Sequence, residues 1–175
     1  MKNYYLTTPI YYPSAKPHMG HAYSSISADV IARFKRIEGY NVNFLTGTDE
    51  HGTKVQRTAE SNNFKPQDWA DKLVTEAWLP VLETINAAND DFIRTTSDRH
   101  IKGVQAFWEK VKANGAVYEG SYEGPYCVGC EEFKLPGDLL KENGQELCPI
   151  HSKPVEMLKE KNWFFKLKQY QQPLI

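Results

Sequence analysis

Three cysteines and one histidine form the most specific chemical pattern in the chain. Cys127-x2-Cys130-x17-Cys148-x2-His151 supplies three thiolates and an imidazole as two knuckle pairs. That is the donor set tetrahedral Zn²⁺ takes. All 3 cysteines belong to the pattern, so three unrelated buried thiols beside a surface histidine are the weaker account. A disulfide would leave one thiol over, in a chain with no secretion signal to favour oxidation. With four protein ligands no coordination position stays open, so the expected metal folds its segment and performs no chemistry.

A second constellation lies near the N-terminus. The run Pro9-Ile10-Tyr11-Tyr12-Pro13-Ser14-Ala15-Lys16-Pro17 leads into His18-Met19-Gly20-His21 and then into an amphipathic stretch. If a strand precedes this loop and a helix follows, the loop sits at the carboxyl end of a sheet, where free N–H groups and the positive end of the helix dipole attract an anion. Two imidazoles across such a turn can share one side of a helix start. Gly20 between them would let a flat ring or a phosphate approach the backbone. The group suits a nucleotide, although the tetrapeptide alone is a weak signal.

Asp49, Glu50 and His51 follow a second β-prone run and would reach the same sheet edge. A carboxylate there can hold a ligand ammonium, with Ile10 and Tyr12 lining an apolar pocket. The alternative is a solvated loop acid that caps the next helix. Standard nucleotide motifs fail on inspection. Gly47 to Lys54 mimics a P-loop spacing but puts Thr53 in the lysine position, and no G-x-G-x-x-G follows a strand.

The elements that must position these residues are legible in outline. Tyr4–Thr8 and Asn41–Thr46 read as strands, bounded by Pro9 and by Gly39 and Gly47. Between them Ile26, Val30, Phe34 and Ile37 recur at helical spacing as a candidate buried stripe, and Gly39 stands where such a helix would end. Strand, helix and strand make a βαβ unit with parallel strands. Pro66 opens a second helix, which Pro80 should kink or end. Phe92–Thr95 reads as another strand, and Ser97 starts a helix carrying Ile101, Val104, Trp108 and Val111 up to Gly115. Thereafter the texture is rich in Gly, Pro and aromatics, with β-prone pieces at Pro154–Leu158 and Trp163–Leu167. Lys159, Lys161, Lys166 and Lys168 alternate with aromatics here. That pattern suits RNA contact, but a half-buried strand shows it too and is the preferred reading.

With 175 residues, 41% hydrophobic and 25% charged, the chain has room for one domain and a small satellite. A net charge of −1 excludes the uniformly basic surface of a DNA-coating protein. No apolar run is long enough to span a membrane, and no targeting segment is visible, so a cytoplasmic setting is expected, with an organellar origin left open. Oligomeric state is not legible.

The motifs together resemble the class I aminoacyl-tRNA synthetases, in their methionine-specific branch. His18-Met19-Gly20-His21 matches the HIGH signature. Pro9-Ile10-Tyr11-Tyr12, Asn43 through Gly52, Tyr126-Cys127-Val128-Gly129-Cys130 and Cys148-Pro149-Ile150-His151 look like the methionine enzymes and occur in the right order. The resemblance implies an α/β fold, with residues 1–115 the first half of a Rossmann-like parallel nucleotide-binding domain. Residues 116–175 would be a small β-rich connective insertion with a zinc knuckle. It implies methionine, ATP with Mg²⁺ and tRNA(Met) as substrates. His18 and His21 would stabilise the ATP phosphates, Gly20 would admit adenine, and Asp49 would bind the amino-acid ammonium. Pro9, Ile10 and Tyr12 would line the amino-acid pocket. The family's KMSKS signature and helical anticodon-binding domain are not in these residues, so the expectation is an N-terminal portion with little or no activity alone. Competing expectations are a non-catalytic zinc module that binds RNA or protein, and another HIGH-type nucleotidyltransferase.

Overall fold

The structure is a computed structural model that describes residues 2–142 and 144–175. Among them no helix is long and apolar enough to cross a membrane. The chain divides into two units, Met1–Ile101 and Lys102–Ile175.

The first unit is built on the strands β1 (Asn3–Thr7), β2 (Asn41–Thr48) and β3 (Asp91–Arg94), with helix α1 (Met19–Ile37) between the first two. All pairings are parallel in the order β1-β2-β3, from Asn3 opposite Asn41 to Thr48 opposite Arg94. The expected βαβ unit is therefore present, and α1 ends as read, with Gly39 at φ 83° after the Glu38 cap.

The stripe expected to bury α1 does not do so. Ile26, Val30, Phe34 and Ile37 are all exposed, Ile37 at 83%, whereas Ser25, Ala28, Asp29 and Ala32 are buried. The reason is the docking chemistry. Ala28 and Ala32 let the helix come close to Phe44, Leu6 and Val42. Beside them Asp29 accepts the Ala88 amide at 2.7 Å, and Arg36 reaches Asp90 at 2.7 Å. Asp90 in turn accepts the Phe44 amide at 2.7 Å. A periodic pattern tells which residues share a face; here the face that meets the sheet is the small and polar one.

Helix α2 (Thr53–Ser61) follows β2. Then α3 (Pro66–Leu73), a π-helical turn (Val74–Trp78) and α4 (Leu79–Thr84) run on without a break. Pro66 opens α3 as expected. Pro80 neither ends nor sharply interrupts the run; the irregularity lies one turn earlier. Proline offers no N–H to the carbonyl four residues back and crowds it. The wide turn accommodates this, with the Leu79 amide bonded to the Val74 carbonyl, five residues back. Trp78, Leu73 and Tyr11 then form a cluster with Trp69 and Phe92.

Helix α5 (Asp98–Ala113) has no buried residue, so its expected stripe is also unburied. The second unit is dominated by a long antiparallel ribbon of β4 (Val117–Cys127) and β8 (Glu156–Phe165), to which β5 (Glu132–Phe133) adds an edge. The two β-prone pieces expected near 154–167 thus fall largely in one ten-residue strand. A small hairpin, β6 (Leu140–Glu142) and β7 (Gln145–Leu147), lies between. Aromatic pairs hold the ribbon: Tyr118 stacks on Phe164, and Tyr122 and Tyr126 both meet Phe133 edge-on.

Candidate active site and metal centre

Helix α1 begins with an unusual cap. His18 takes the extended N-cap conformation and its Nδ1 accepts the Gly20 amide at 3.1 Å, while His21 Nδ1 accepts the His18 amide at 3.2 Å. This reciprocal arrangement is what Ser/Thr and Glu usually build at a helix start. Here two imidazoles make it, with ring centroids 3.8 Å apart. Because each Nδ1 accepts a backbone N–H, each neutral ring carries its proton on Nε2. Two N–H donors thus join the positive end of a 19-residue helix whose first turn holds no acid. Burial, and then the His18 imidazole, push the His21 pKa below the ordinary imidazole value, so at neutral pH His21 is a neutral donor.

Gly20 has a local reason as well. A Cβ there would meet His18 Cε1 at 3.0 Å, so the cap itself requires a glycine or a displaced ring.

The loop before the cap is extended and joins β2. The Tyr11 amide donates to the Gly47 carbonyl at 2.9 Å and the Asp49 amide donates back to the Tyr11 carbonyl at 2.8 Å. The two loops read from the sequence therefore meet at the carboxyl ends of β1 and β2. Pro9 is exposed, Ile10 half-buried and Tyr12 42% exposed, with the Lys54 ammonium 5.7 Å from the Tyr12 ring centre. Asp49 is half-buried, and among the described residues no hydrogen bond engages its carboxylate. It does not cap α2, whose N-cap is Gly52 with no side-chain bond.

The roles of three residues in this region are not evident from the sequence. Tyr11 is 3% exposed and stacks on Trp78 at 4.6 Å. Its inward position follows from alternation along an extended segment, a signal present but unused. Glu50 is the second. Its buried carboxylate accepts Arg94 Nε at 2.6 Å and Nη2 at 2.9 Å, Thr48 Oγ1 at 2.6 Å, and Thr96 Oγ1. Burial alone would raise its pKa, but the hydrogen bonds from Arg94, Thr48 and Thr96 and the Arg94 charge outweigh that and hold the carboxyl below its ordinary value. Arg94, the third, also binds Asp71 on α3 at 2.5 Å. These contacts fix the loop that carries Asp49. His51 remains exposed, 3.4 Å from the Thr95 carbonyl.

In the second unit Cys127, Cys130, Cys148 and His151 converge, with all four donor atoms within 4.8 Å of one another. Four of the six separations are 3.3 Å (Cys130 Sγ to His151 Nδ1), 3.6 Å (Cys130 to Cys148), 3.7 Å (Cys127 to His151) and 3.9 Å (Cys148 to His151). A tetrahedron with metal–sulfur distances of about 2.3 Å and metal–nitrogen of about 2.0 Å has edges of roughly 3.5–3.8 Å, so the donors fit Zn²⁺. All three cysteines are free thiols. The turns are shaped for the purpose. Glu131 and Ser152, each directly after a ligand, adopt positive φ (53° and 50°). A Cβ on Gly129 would stand 2.9 Å from the His151 ring. The basic residues of β8 are matched by acids across the ribbon, Lys161 to Glu119 at 2.6 Å and Lys159 to Glu123 at 3.1 Å.

The parallel βαβ start, the imidazole-capped helix beside a loop whose Asp49 carboxylate is unengaged among the described residues, and the Cys3His cluster agree with the class I synthetase resemblance read from the sequence. The family described as tRNA synthetases class I (M) matches residues 4–149, and the chain belongs to it. It is 57% identical over 178 residues to the methionine–tRNA ligase of Streptomyces coelicolor, covering 99% of this chain and 33% of that protein. The Thermotoga maritima methionine–tRNA ligase is 46% identical, with 98% and 27% covered. The Mycobacterium tuberculosis methionyl-tRNA synthetase in complex with methionyl-adenylate superposes with a TM-score of 0.93 at 39% identity, over 99% of this chain and 34% of that one. The chain thus spans about a third of the length of the relatives it matches.

Proposed function

We propose that this chain supplies the nucleotide- and amino-acid-binding start of a methionine–tRNA ligase. Residues 1–115 would be the first half of its catalytic domain and residues 116–175 part of the connective insertion. The observation that carries the reading is the reciprocal His18–His21 cap, which sets two imidazoles side by side at the N-terminus of α1 with each Nδ1 occupied by a backbone amide. In the first step a methionine carboxylate oxygen attacks the α-phosphorus of ATP, supplied with Mg²⁺, and pyrophosphate leaves. His18 and His21 would donate hydrogen bonds to the phosphate oxygens as charge develops, which is catalysis by positioning and electrostatics. Gly20 would leave the helix start open to adenine. Asp49, with its carboxylate unengaged, would hold the methionine ammonium. Pro9, Ile10 and Tyr12 would border the side chain. In the second step a ribose hydroxyl at the end of tRNA(Met) attacks the methionyl carbonyl and AMP leaves. Zn²⁺ held by Cys127, Cys130, Cys148 and His151 would keep the insertion folded. A cytoplasmic setting suits three unoxidised thiols.

The test is methionine-dependent ATP–pyrophosphate exchange by the complete gene product. His21→Ala should lower exchange by about 10²-fold, the scale of one lost donor in such a site, with the circular dichroism spectrum retained. Undiminished exchange removes His21 from the mechanism. Exchange driven by another amino acid and not by methionine overturns the substrate.

A further inference from the structure

Trp78 is 1% exposed, and its indole Nε1 is buried with no hydrogen-bond partner among the described residues. A buried tryptophan usually finds an acceptor, so its place is set by the ring rather than by the N–H. That ring lies parallel to Tyr11 (4.6 Å, 5°) and meets the His21 imidazole edge-on (4.8 Å, 84°). Tyr11 meets the same imidazole edge-on at 5.6 Å and 85°. Two stacked aromatic rings therefore abut one side of His21. The Tyr11 hydroxyl bonds Ser25 Oγ, and Ser25 Oγ bonds the His21 carbonyl at 2.8 Å, so the imidazole and its own backbone are both tied to the stack. Trp78 reaches this position from the last residue of the π-helical turn. Such turns rotate the residues after them by an extra step relative to a regular helix, and they concentrate at functional sites.

We propose that Trp78 is a positioning residue for adenylate formation: stacked on Tyr11, it fixes the plane of the His21 ring so that Nε2 is held toward the nucleotide phosphates. This rests on the reading that His21 acts on ATP. Trp78 touches no reacting atom. Its effect passes through an imidazole whose one hydrogen bond within the cap is at Nδ1 and whose other restraints are ring contacts with His18, Tyr11 and Trp78; without the indole one wall is lost, and rotation about the Cβ–Cγ bond can swing Nε2 off line. The amino-acid side should be spared, because the main chain of Tyr11 and not its ring holds Asp49.

The experiment is a double-mutant cycle in the complete gene product, with methionine-dependent ATP–pyrophosphate exchange as the readout. Trp78→Leu should lower kcat by about tenfold, in line with loss of edge and stacking contacts, and leave the KM for methionine within about twofold. In a His21→Ala background Trp78→Leu should cost nothing further. Trp78→Phe, which keeps a ring and lacks the N–H, should recover most of the activity. With ¹³C-histidine labelling, the His21 Cε1–H resonance should lose its ring-current shift in Trp78→Leu and keep part of it in Trp78→Phe. An additive loss in the His21→Ala background overturns the proposal, as does an unmoved His21 resonance. Should His21→Ala itself leave exchange intact, the ATP reading fails, and the resonance alone decides whether Trp78 orients the ring. If Trp78→Leu does not fold, the cycle is run with Trp78→Phe, whose smaller loss must likewise vanish with His21.

Discussion

The two units of this chain are held together by different means. In Met1–Ile101 a parallel sheet, a helix packed through alanines and an aromatic cluster remove side chains such as Phe44 and Trp78 from water. In Lys102–Ile175 the aromatic pairs lie on a largely exposed ribbon, and a fully buried side chain among the described residues is the thiol of Cys148, a candidate metal donor. The first unit draws its stability from area, worth roughly 25 cal/mol per Å². On the zinc reading proposed above, the second draws much of its own from four donors that meet on one ion. A short segment with little apolar surface can therefore be ordered as sharply as a packed one, provided that a ligand supplies the missing free energy.

The largest way to separate the two regimes is to remove the metal. Chelation of the complete protein, or Cys148→Ser, should abolish amide protection across residues 127–151 and leave β1–β3 protected, since structural zinc binding is worth on the order of 10–16 kcal/mol. Hydrogen exchange read by mass spectrometry checks this, and parallel loss in both units would erase the distinction. A smaller effect, confined to the first unit, is expected from Glu50→Gln. Leaving Arg94 without its carboxylate should cost about 2–3 kcal/mol at neutral pH, measured by urea unfolding. Because the Glu50 pKa is depressed in the fold, its contribution is complete above the ordinary carboxyl value of 4.5 and is lost as pH falls through the lowered one. The difference between wild type and variant should accordingly shrink in acid; a constant difference would mean that the carboxylate charge is not the cause. The smallest effect returns to the second unit. Gly129→Ala places a methyl against the His151 ring and should weaken zinc binding by roughly tenfold without unfolding the ribbon, as judged by competition with a chromophoric chelator.

Local chemistry was the legible part. Each knuckle pair, the loop-to-helix setting of His18 and His21, and the stop at Gly39 depend on residues close to one another in the chain. What stayed hidden depends on what lies across the fold. The period of Ile26, Val30, Phe34 and Ile37 says that they share a face, yet the sheet meets the face of Ala28 and Ala32, a choice made by Asp90 and Phe44 elsewhere in the chain. Glu50 is one of two adjacent loop acids in the sequence, and only Arg94, arriving from β3, sets it apart from Asp49. The wide turn before Pro80 needed both the proline's missing donor and the pocket that takes Trp78.

The imidazole cap of α1 also couples two properties that are usually independent. A protonated imidazole has no acceptor at Nδ1, so it would confront the amide it now receives. Proton uptake by His21 is therefore also fraying of the first turn of α1. As acid lowers the pH through the depressed His21 value, the contribution of that ring to stability disappears together with the geometry that makes it a donor. The helix start thus behaves as a proton-linked joint, rigid when the His21 ring is neutral and loosened when it is charged.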